Sequence, residues 1–182
     1  MDKPYIVYEN FLEESYFKEL QGLFTNQDFP WFYKPRSGDG ETHFDFDFMF
    51  VHSFYHFKNG VNSNFFEPLL PLIIKTGIQS GKTNLMRVKA NLYTNQSENM
   101  VHHKHTDYPE ETDYKTAVFN LTTNDGGTIF YIDGKEEFVE SIENSVVIFD
   151  GPTEHAGVTQ KNSNIRTLLN MDFNEGEYLG RY

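Results

Sequence analysis

His105, Thr106 and Asp107 stand together, His155 follows 50 positions after His105, and Arg166 follows 11 after that. Two neutral imidazoles and one carboxylate form a donor set that holds Fe(II) on one face and leaves the opposite positions open. Residues i and i+2 of an extended strand point to the same side, so His105 and Asp107 can reach one ion while Thr106 faces away. His155 lies just past an apolar run, Ser145 to Phe149, and a turn carrying Gly151-Pro152, so a rigid sheet can aim it back at the same point. Arg166 opens an alternating stretch, with Arg166, Leu168, Asn170 and Asp172 on one face and Thr167, Leu169, Met171 and Phe173 on the other. If strands 145–149 and 166–173 are neighbours, Arg166 comes close to His155. Its planar fork meets a carboxylate with two parallel bonds and stays charged at any working pH.

The order of these motifs resembles the 2-oxoglutarate and Fe(II)-dependent dioxygenases, in particular the small prolyl-4-hydroxylase-like branch found in phage and bacterial genomes. The resemblance runs over residues 84–174. It is carried by Val88-Lys-Ala-Asn-Leu-Tyr93 before the HxD pair, Phe119-Asn-Leu121 with Gly126-Gly127-Thr128 in the middle, Val146-Val-Ile-Phe-Asp150 before His155, and Arg166-Thr-Leu-Leu-Asn-Met-Asp-Phe173. It implies a mainly β (α+β) fold, a double-stranded β-helix or jelly roll with N-terminal helices packed on the major sheet. It further implies that His105, Asp107 and His155 bind Fe(II), and that Arg166 and Tyr93 hold 2-oxoglutarate. Asn91, Thr116 and Asn170 are expected to face the same cavity. The implied reaction decarboxylates 2-oxoglutarate to succinate with O2 and hydroxylates a C–H bond; ascorbate is left open as a further cofactor. The substrate is expected to be a peptide, protein or small molecule, with peptidyl-proline in first place.

Other readings of the same residues compete with this one. His103-x-His105 is also an i, i+2 pair, so His103, His105 and His155 could form a cupin-like metal centre without 2-oxoglutarate. A jelly roll that only binds, without catalysis, is a third reading. His43-Phe44-Asp45 repeats the HxD form on an alternating segment, yet nothing downstream completes it, and His52 and His56 are more simply polar positions flanking an aromatic strand. His102 and His103 are read as exposed or near the substrate mouth. Taken singly, Arg166 would be a solvated strand-edge charge and Tyr93 a strand aromatic.

Composition narrows the field. A chain of 182 residues suits one domain with a real core, read here as a helix and loop layer over 1–83 and a jelly-roll core over 84–174. The 18 Phe and 11 Tyr favour strand-rich packing over a helical bundle. With no cysteine, disulfides, thiolate nucleophiles and zinc ribbons are excluded. A net charge of −12 without a basic cluster argues against nucleic acid as a partner. No signal h-region or membrane-length apolar run is present, so the expectation is a soluble, cytoplasmic protein, in the host cytoplasm if phage-encoded. Oligomeric state is not legible.

The elements that must position the site follow from periodicity and turn signals. Leu12, Tyr16, Leu20, Leu23 and Phe24 share a helical face within 11–24. Residues 28–42 read as a loop and 43–57 as a Phe-rich strand. A second helix is expected over 65–78, with Pro68 in its first turn and Pro71 kinking or restarting it. Strands follow at 84–94, 114–122, 127–132, 136–141, 145–149, 155–160 and 166–173. Asn124-Asp125-Gly126-Gly127 and Asp133-Gly134 mark turns, the latter a hairpin. Loops 30–42, 52–64 and 94–113 are expected to shape a substrate groove.

Overall fold

The computed structural model describes residues 3–36 and 47–175. In chain order the elements are β1 (Tyr5–Tyr8), α1 (Glu14–Thr25), β2 (Phe32–Lys34), β3 (Met49–His56), β4 (Gly60–Val61), α2 (Leu70–Ser80), β5 (Asn84–Thr94), β6 (Tyr114–Asn120), β7 (Asn124–Ile132), β8 (Lys135–Ser141), β9 (Ser145–Asp150), β10 (His155–Val158) and β11 (Ile165–Asn174). A major sheet runs β1-β9-β6-β11-β5-β3-β2, with β4 on β3, and a three-stranded minor sheet runs β10-β7-β8. All of these pairings are antiparallel, and the two sheets form the jelly-roll sandwich that the resemblance implies.

Strand periodicity of two gives the major sheet two different faces. Val88, Ala90, Ala117, Phe119, Leu169, Met171 and Phe173 point to the side covered by Phe17, Leu20 and Phe24 of α1 and Leu72 and Ile73 of α2. The alternate residues Tyr93, Val118 and Leu168 face the minor sheet, where they pack with Met49, Phe130, Val147 and Phe149. The helices thus lie on the major sheet, and the space between the sheets is left for the polar residues considered below.

Several expectations shift in detail. Phe17, rather than Tyr16, sits at the centre of the buried face of α1, because the helix starts at Glu14 and Leu12 is buried ahead of it. Pro68 lies in a short 3-10 turn, Glu67–Leu69, and α2 restarts with Pro71 in its first turn, where a missing N–H costs nothing. The Asn124-Asp125-Gly126-Gly127 signal is part of β7 and marks a shift of register against β8, a bulge rather than a loop. Asp133 and Gly134 do form the hairpin turn, both with positive φ, 50° and 74°. The segment before residue 84 supplies β1, β2, β3 and β4 to the major sheet as well as the helices.

The start of the Phe-rich strand is inverted relative to a simple hydrophobic reading, whereas Phe54 further along is fully buried in the helix-side core. Residues 43–46, and with them His43-Phe44-Asp45, lie outside the described residues. Within the described part Asp47 and Met49 are buried, while Phe48 and Phe50 are half-buried beside Tyr33. His52 is buried too, with its ring nitrogens on the Pro30 carbonyl and the Ser63 hydroxyl. β3 also runs through 52–56, so the expected loop over 52–64 begins only after His56. Among the described residues no helix is long and apolar enough to cross a membrane.

Phe119 is fully buried, between Phe11 and Phe17, on the helix side of the sheet. Replacing it with alanine opens a cavity there and is expected to cost about 3–5 kcal/mol of folding stability, measured by urea unfolding, while leaving the cavity between the sheets unchanged.

Candidate metal and oxo-acid site

Backbone pairing brings the two histidines together. The His105 N–H bonds the His155 carbonyl at 2.9 Å and the His155 N–H bonds the His105 carbonyl at 3.0 Å, so the two residues form a hydrogen-bonded cross-strand pair with side chains on one side. Val101 stands opposite Val158 in a non-hydrogen-bonded pair, flanked by the His102 N–H on the Gly157 carbonyl and the Thr159 N–H on the Met100 carbonyl, and the 101–105 segment lies along β10 as an irregular extension of the minor sheet. The imidazole rings stand 4.6 Å apart between centroids.

Both rings have the same polarity. His105 Nδ1 donates to the His103 carbonyl at 2.9 Å, and His155 Nδ1 donates to the Thr153 carbonyl at 3.0 Å. A neutral imidazole that donates from Nδ1 carries its lone pair on Nε2, the state a metal requires. Burial lowers the His155 pKa, against the attraction of Asp107, which keeps that ring neutral.

Asp107 completes the group. Its Oδ2 lies 3.7 Å from His155 Nε2 and, though buried, has no hydrogen-bond partner among the described residues. Its Oδ1 is taken by Arg87, whose Nη2 donates at 2.5 Å. Among the described residues no three His, Cys, Asp or Glu side chains are gathered as closely as in a filled metal site. Here Asp107 leans toward Arg87. Even so, two Nε2 lone pairs and one orphaned carboxylate oxygen are a donor set that fits Fe(II).

Arg87 was not anticipated, although alternation held the clue: Arg87, Lys89, Asn91 and Tyr93 share one face of β5. Opposite them on β11 the register places Asp172, Asn170, Leu168 and Arg166 in turn. Arg87 Nη2 lies 2.8 Å from Asp172 Oδ2 and donates to Asn170 Oδ1 at 3.1 Å. Thr116 donates to Asp172 Oδ1 at 2.9 Å. Burial alone would raise the Asp107 pKa, but Arg87, then Lys89, hold it well below the usual carboxylate range. Asp172 goes the other way, pushed up to about 6 by burial despite Arg87. Lys89 shares the cavity, and burial followed by repulsion from Arg87 brings its ammonium down to about 8.

Arg166 forms the far end of the cavity. It is 1 % exposed, stacks over the Tyr93 ring at 5.4 Å, and donates to the Val158 carbonyl at a long 3.4 Å, while its Nε has no partner among the described residues. Among the described residues no carboxylate pairs with it. Burial pushes its pKa down to about 10, so the cation is held at a cost that an incoming anion would relieve. The route by which it nears His155 differs from the expected one. β6 lies between β9 and β11, and Arg166 reaches β10 across the sandwich instead of from a neighbouring strand.

His105, His155, Arg166, Tyr93, Asn91 and Asn170 all line this cavity, and Asp107 stands at its edge against His155. Thr116 does not; its hydroxyl is spent on Asp172. His103 does not line it either, and gives its carbonyl to His105. His102, read from the sequence as exposed or near the mouth, is 6 % exposed and forms part of the cavity wall. The neighbouring Val101, bridged to Val158 of β10, faces outward, so by alternation His102 turns inward.

No protein-family model and no curated protein matches the sequence. Solved structures match through the fold. An oxidoreductase of the 2OG-Fe(II) oxygenase family from Burkholderia pseudomallei superposes with a TM-score of 0.73 at 16% identity, covering 95% of this chain and 86% of its own. A prolyl-4-hydroxylase from Pseudomonas putida gives 0.65 at 14% identity over 95% and 93% of the two chains. A prolyl hydroxylase from Trichoplax adhaerens, in complex with a hypoxia inducible factor oxygen degradation domain peptide fragment, gives 0.70 at 12% identity over 96% and 85%. The fold is that of the 2OG-Fe(II) oxygenases. Within that class it is shared with prolyl hydroxylases, in agreement with the motif resemblance.

Two outcomes follow from the Arg87 network. Arg87→Met leaves two buried carboxylates uncompensated and is expected to lower stability by about 3–5 kcal/mol in urea unfolding. The raised Asp172 carboxyl binds its proton more tightly folded than unfolded. Its stabilising contribution is therefore full below about pH 4 and is lost as pH rises through about 6. Relative to Asp172→Asn, the wild type should lose stability over that window; a constant difference between the two profiles would contradict the assignment.

Proposed function

We propose that the protein is an Fe(II)- and 2-oxoglutarate-dependent dioxygenase that hydroxylates a C–H bond, working as a single domain over residues 1–182. The observation that carries this reading is the pairing of two features in one cavity. At one end are two Nε2 lone pairs and an orphaned carboxylate oxygen; at the other is a buried guanidinium with no acidic partner among the described residues. A metal site alone does not explain the second feature, and a 2-oxo acid with a distal carboxylate explains both.

In this reading His105, Asp107 and His155 hold the metal, and bound Fe(II), with 2-oxoglutarate and O2, supplies the oxidising power for hydroxylation as 2-oxoglutarate is decarboxylated to succinate. Arg166 anchors the distal carboxylate and Tyr93, cross-strand to it, adds a phenol at the same end. Asn91 and Asn170 are proposed to orient the co-substrate from the floor of the cavity. Arg87 holds one oxygen of Asp107, which leaves the other for the metal. The cavity walls of Met49, Val118 and Leu168 keep bulk water away from these groups. Peptidyl-proline is the proposed substrate class, on the strength of the prolyl hydroxylases among the structural matches. Ascorbate is proposed only as a reductant that sustains Fe(II), and the proposed setting is a cytoplasm.

Anaerobic titration with Fe(II) and then 2-oxoglutarate should produce the weak visible charge-transfer band of a chelated 2-oxo acid. The band should be lost in His155→Ala, and in Arg166→Ala it should need at least ~10-fold more 2-oxoglutarate, the loss of a charge-assisted pair. Metal binding without the band would contradict the co-substrate assignment, and absence of metal binding would contradict the enzyme.

A further inference from the structure

Among the described residues, His102 has a partner on one nitrogen only. Its Nδ1 lies 2.6 Å from Asp47 Oδ1, with both side chains buried, and its Nε2 is buried with no hydrogen-bond partner. The ring lies against Tyr93, with centroids 5.1 Å apart. A third neighbour defines where this edge points. A Cβ built on Gly157 would stand 3.5 Å from Tyr93 Oη, 3.6 Å from His102 Cδ2 and 3.9 Å from Arg166 Nη1. Phenol, imidazole and guanidinium therefore surround one small region that is open because residue 157 has no side chain.

An unpartnered polar nitrogen in such a place is destabilising unless a ligand satisfies it. The groups facing the ring are Asp47 ahead of β3, Tyr93 with Lys89 further along β5, Arg166 from β11, and Gly157 with the histidine His155 two residues before it on β10. With Nδ1 already donating to Asp47, the ring can accept a further proton only on Nε2. A carboxylate needs donors around it, and Asp47 provides the counter-charge for an imidazolium.

We propose that His102, held by Asp47, is a third arm of the receptor for the distal carboxylate of 2-oxoglutarate, beside Arg166 and Tyr93, and that binding takes up a proton from solvent onto His102 Nε2. The inference rests on the co-substrate reading above and adds to it a residue and a proton. Gly157 is the specificity-determining position, because a methyl group there occupies the space the carboxylate needs. Such a methyl meets its nearest neighbours at 3.5 Å or more, which is ordinary contact, so Gly157→Ala is expected to fold.

The test is anaerobic titration calorimetry of the full chain loaded with Mn(II), with 2-oxoglutarate or pyruvate as ligand, in buffers of different ionisation enthalpy near pH 7.5. The wild type should bind 2-oxoglutarate with proton uptake. His102→Gln should bind it roughly 10-fold more weakly, without proton uptake, and should bind pyruvate as the wild type does. Gly157→Ala should keep Mn(II) and lose 2-oxoglutarate. If the wild type binds 2-oxoglutarate but His102→Gln keeps the proton uptake, or weakens pyruvate equally, or Gly157→Ala binds normally, the His102 role is overturned while the dioxygenase reading stands. If the Mn(II)-loaded wild type binds no 2-oxoglutarate at all, the parent reading falls and takes this one with it.

Discussion

The guanidinium of Arg87, buried between two carboxylates, is the interaction on which the rest of the site depends. It joins β5 to β11 through Asp172 and to the histidine segment through Asp107. A buried ion triad of this kind adds little net stability, since desolvation offsets most of the attraction; what it supplies is orientation. By occupying Oδ1 of Asp107 it decides which oxygen stays open beside His155, and by its charge it keeps that carboxylate ionised. The His105, Asp107 and His155 end of the cavity is thus set from outside those three residues, by a residue on a different strand.

The same two strands carry stability and chemistry on alternate residues. On β11, Leu169 and Met171 pack under the helices, while Arg166 and Asn170 line the cavity. On β5, Val88 and Ala90 do the first job and Lys89, Asn91 and Tyr93 the second. Because the register is fixed by ten paired positions, Arg166 must sit opposite Tyr93 and Asp172 opposite Arg87. A slip of one residue would exchange the two faces and put the charges into the helix-side core, so the hydrophobic pattern that holds the sheet also aligns the polar ladder. The two histidines follow a related logic in the minor sheet, where a single pair of main-chain bonds sets the separation of their rings.

Much of this was legible in the chain. The strands from residue 84 onward, the hairpin at Asp133-Gly134 and the helical restart at Pro71 follow from local rules of period, turn and proline. So did the cavity face of 166–172, because alternation reports face directly. What escaped was set by contacts distant in sequence. His102 looks like one of several polar residues in a histidine-rich stretch, and only its approach to Asp47, 55 positions away, makes it a wall of the cavity. The buried side at the entry to β3 was hidden by Phe48 and Phe50, since there it is Asp47 and Met49 that are buried. Strand neighbourhood is likewise not a local property: β6 intervenes between β9 and β11, and Arg166 meets β10 across the sandwich. Thr116 was placed on the correct face, but its hydroxyl is consumed by Asp172.

The central claim is that one cavity holds a metal at His105, Asp107 and His155 and a 2-oxo acid at Arg166. The most direct measurement is a crystal structure of the protein grown anaerobically with Mn(II) and 2-oxoglutarate. The account predicts one metal bound by Nε2 of both histidines and a single oxygen of Asp107, with the distal carboxylate of 2-oxoglutarate on Arg166. A metal held through His103 in place of Asp107, or 2-oxoglutarate bound away from Arg166, would contradict it.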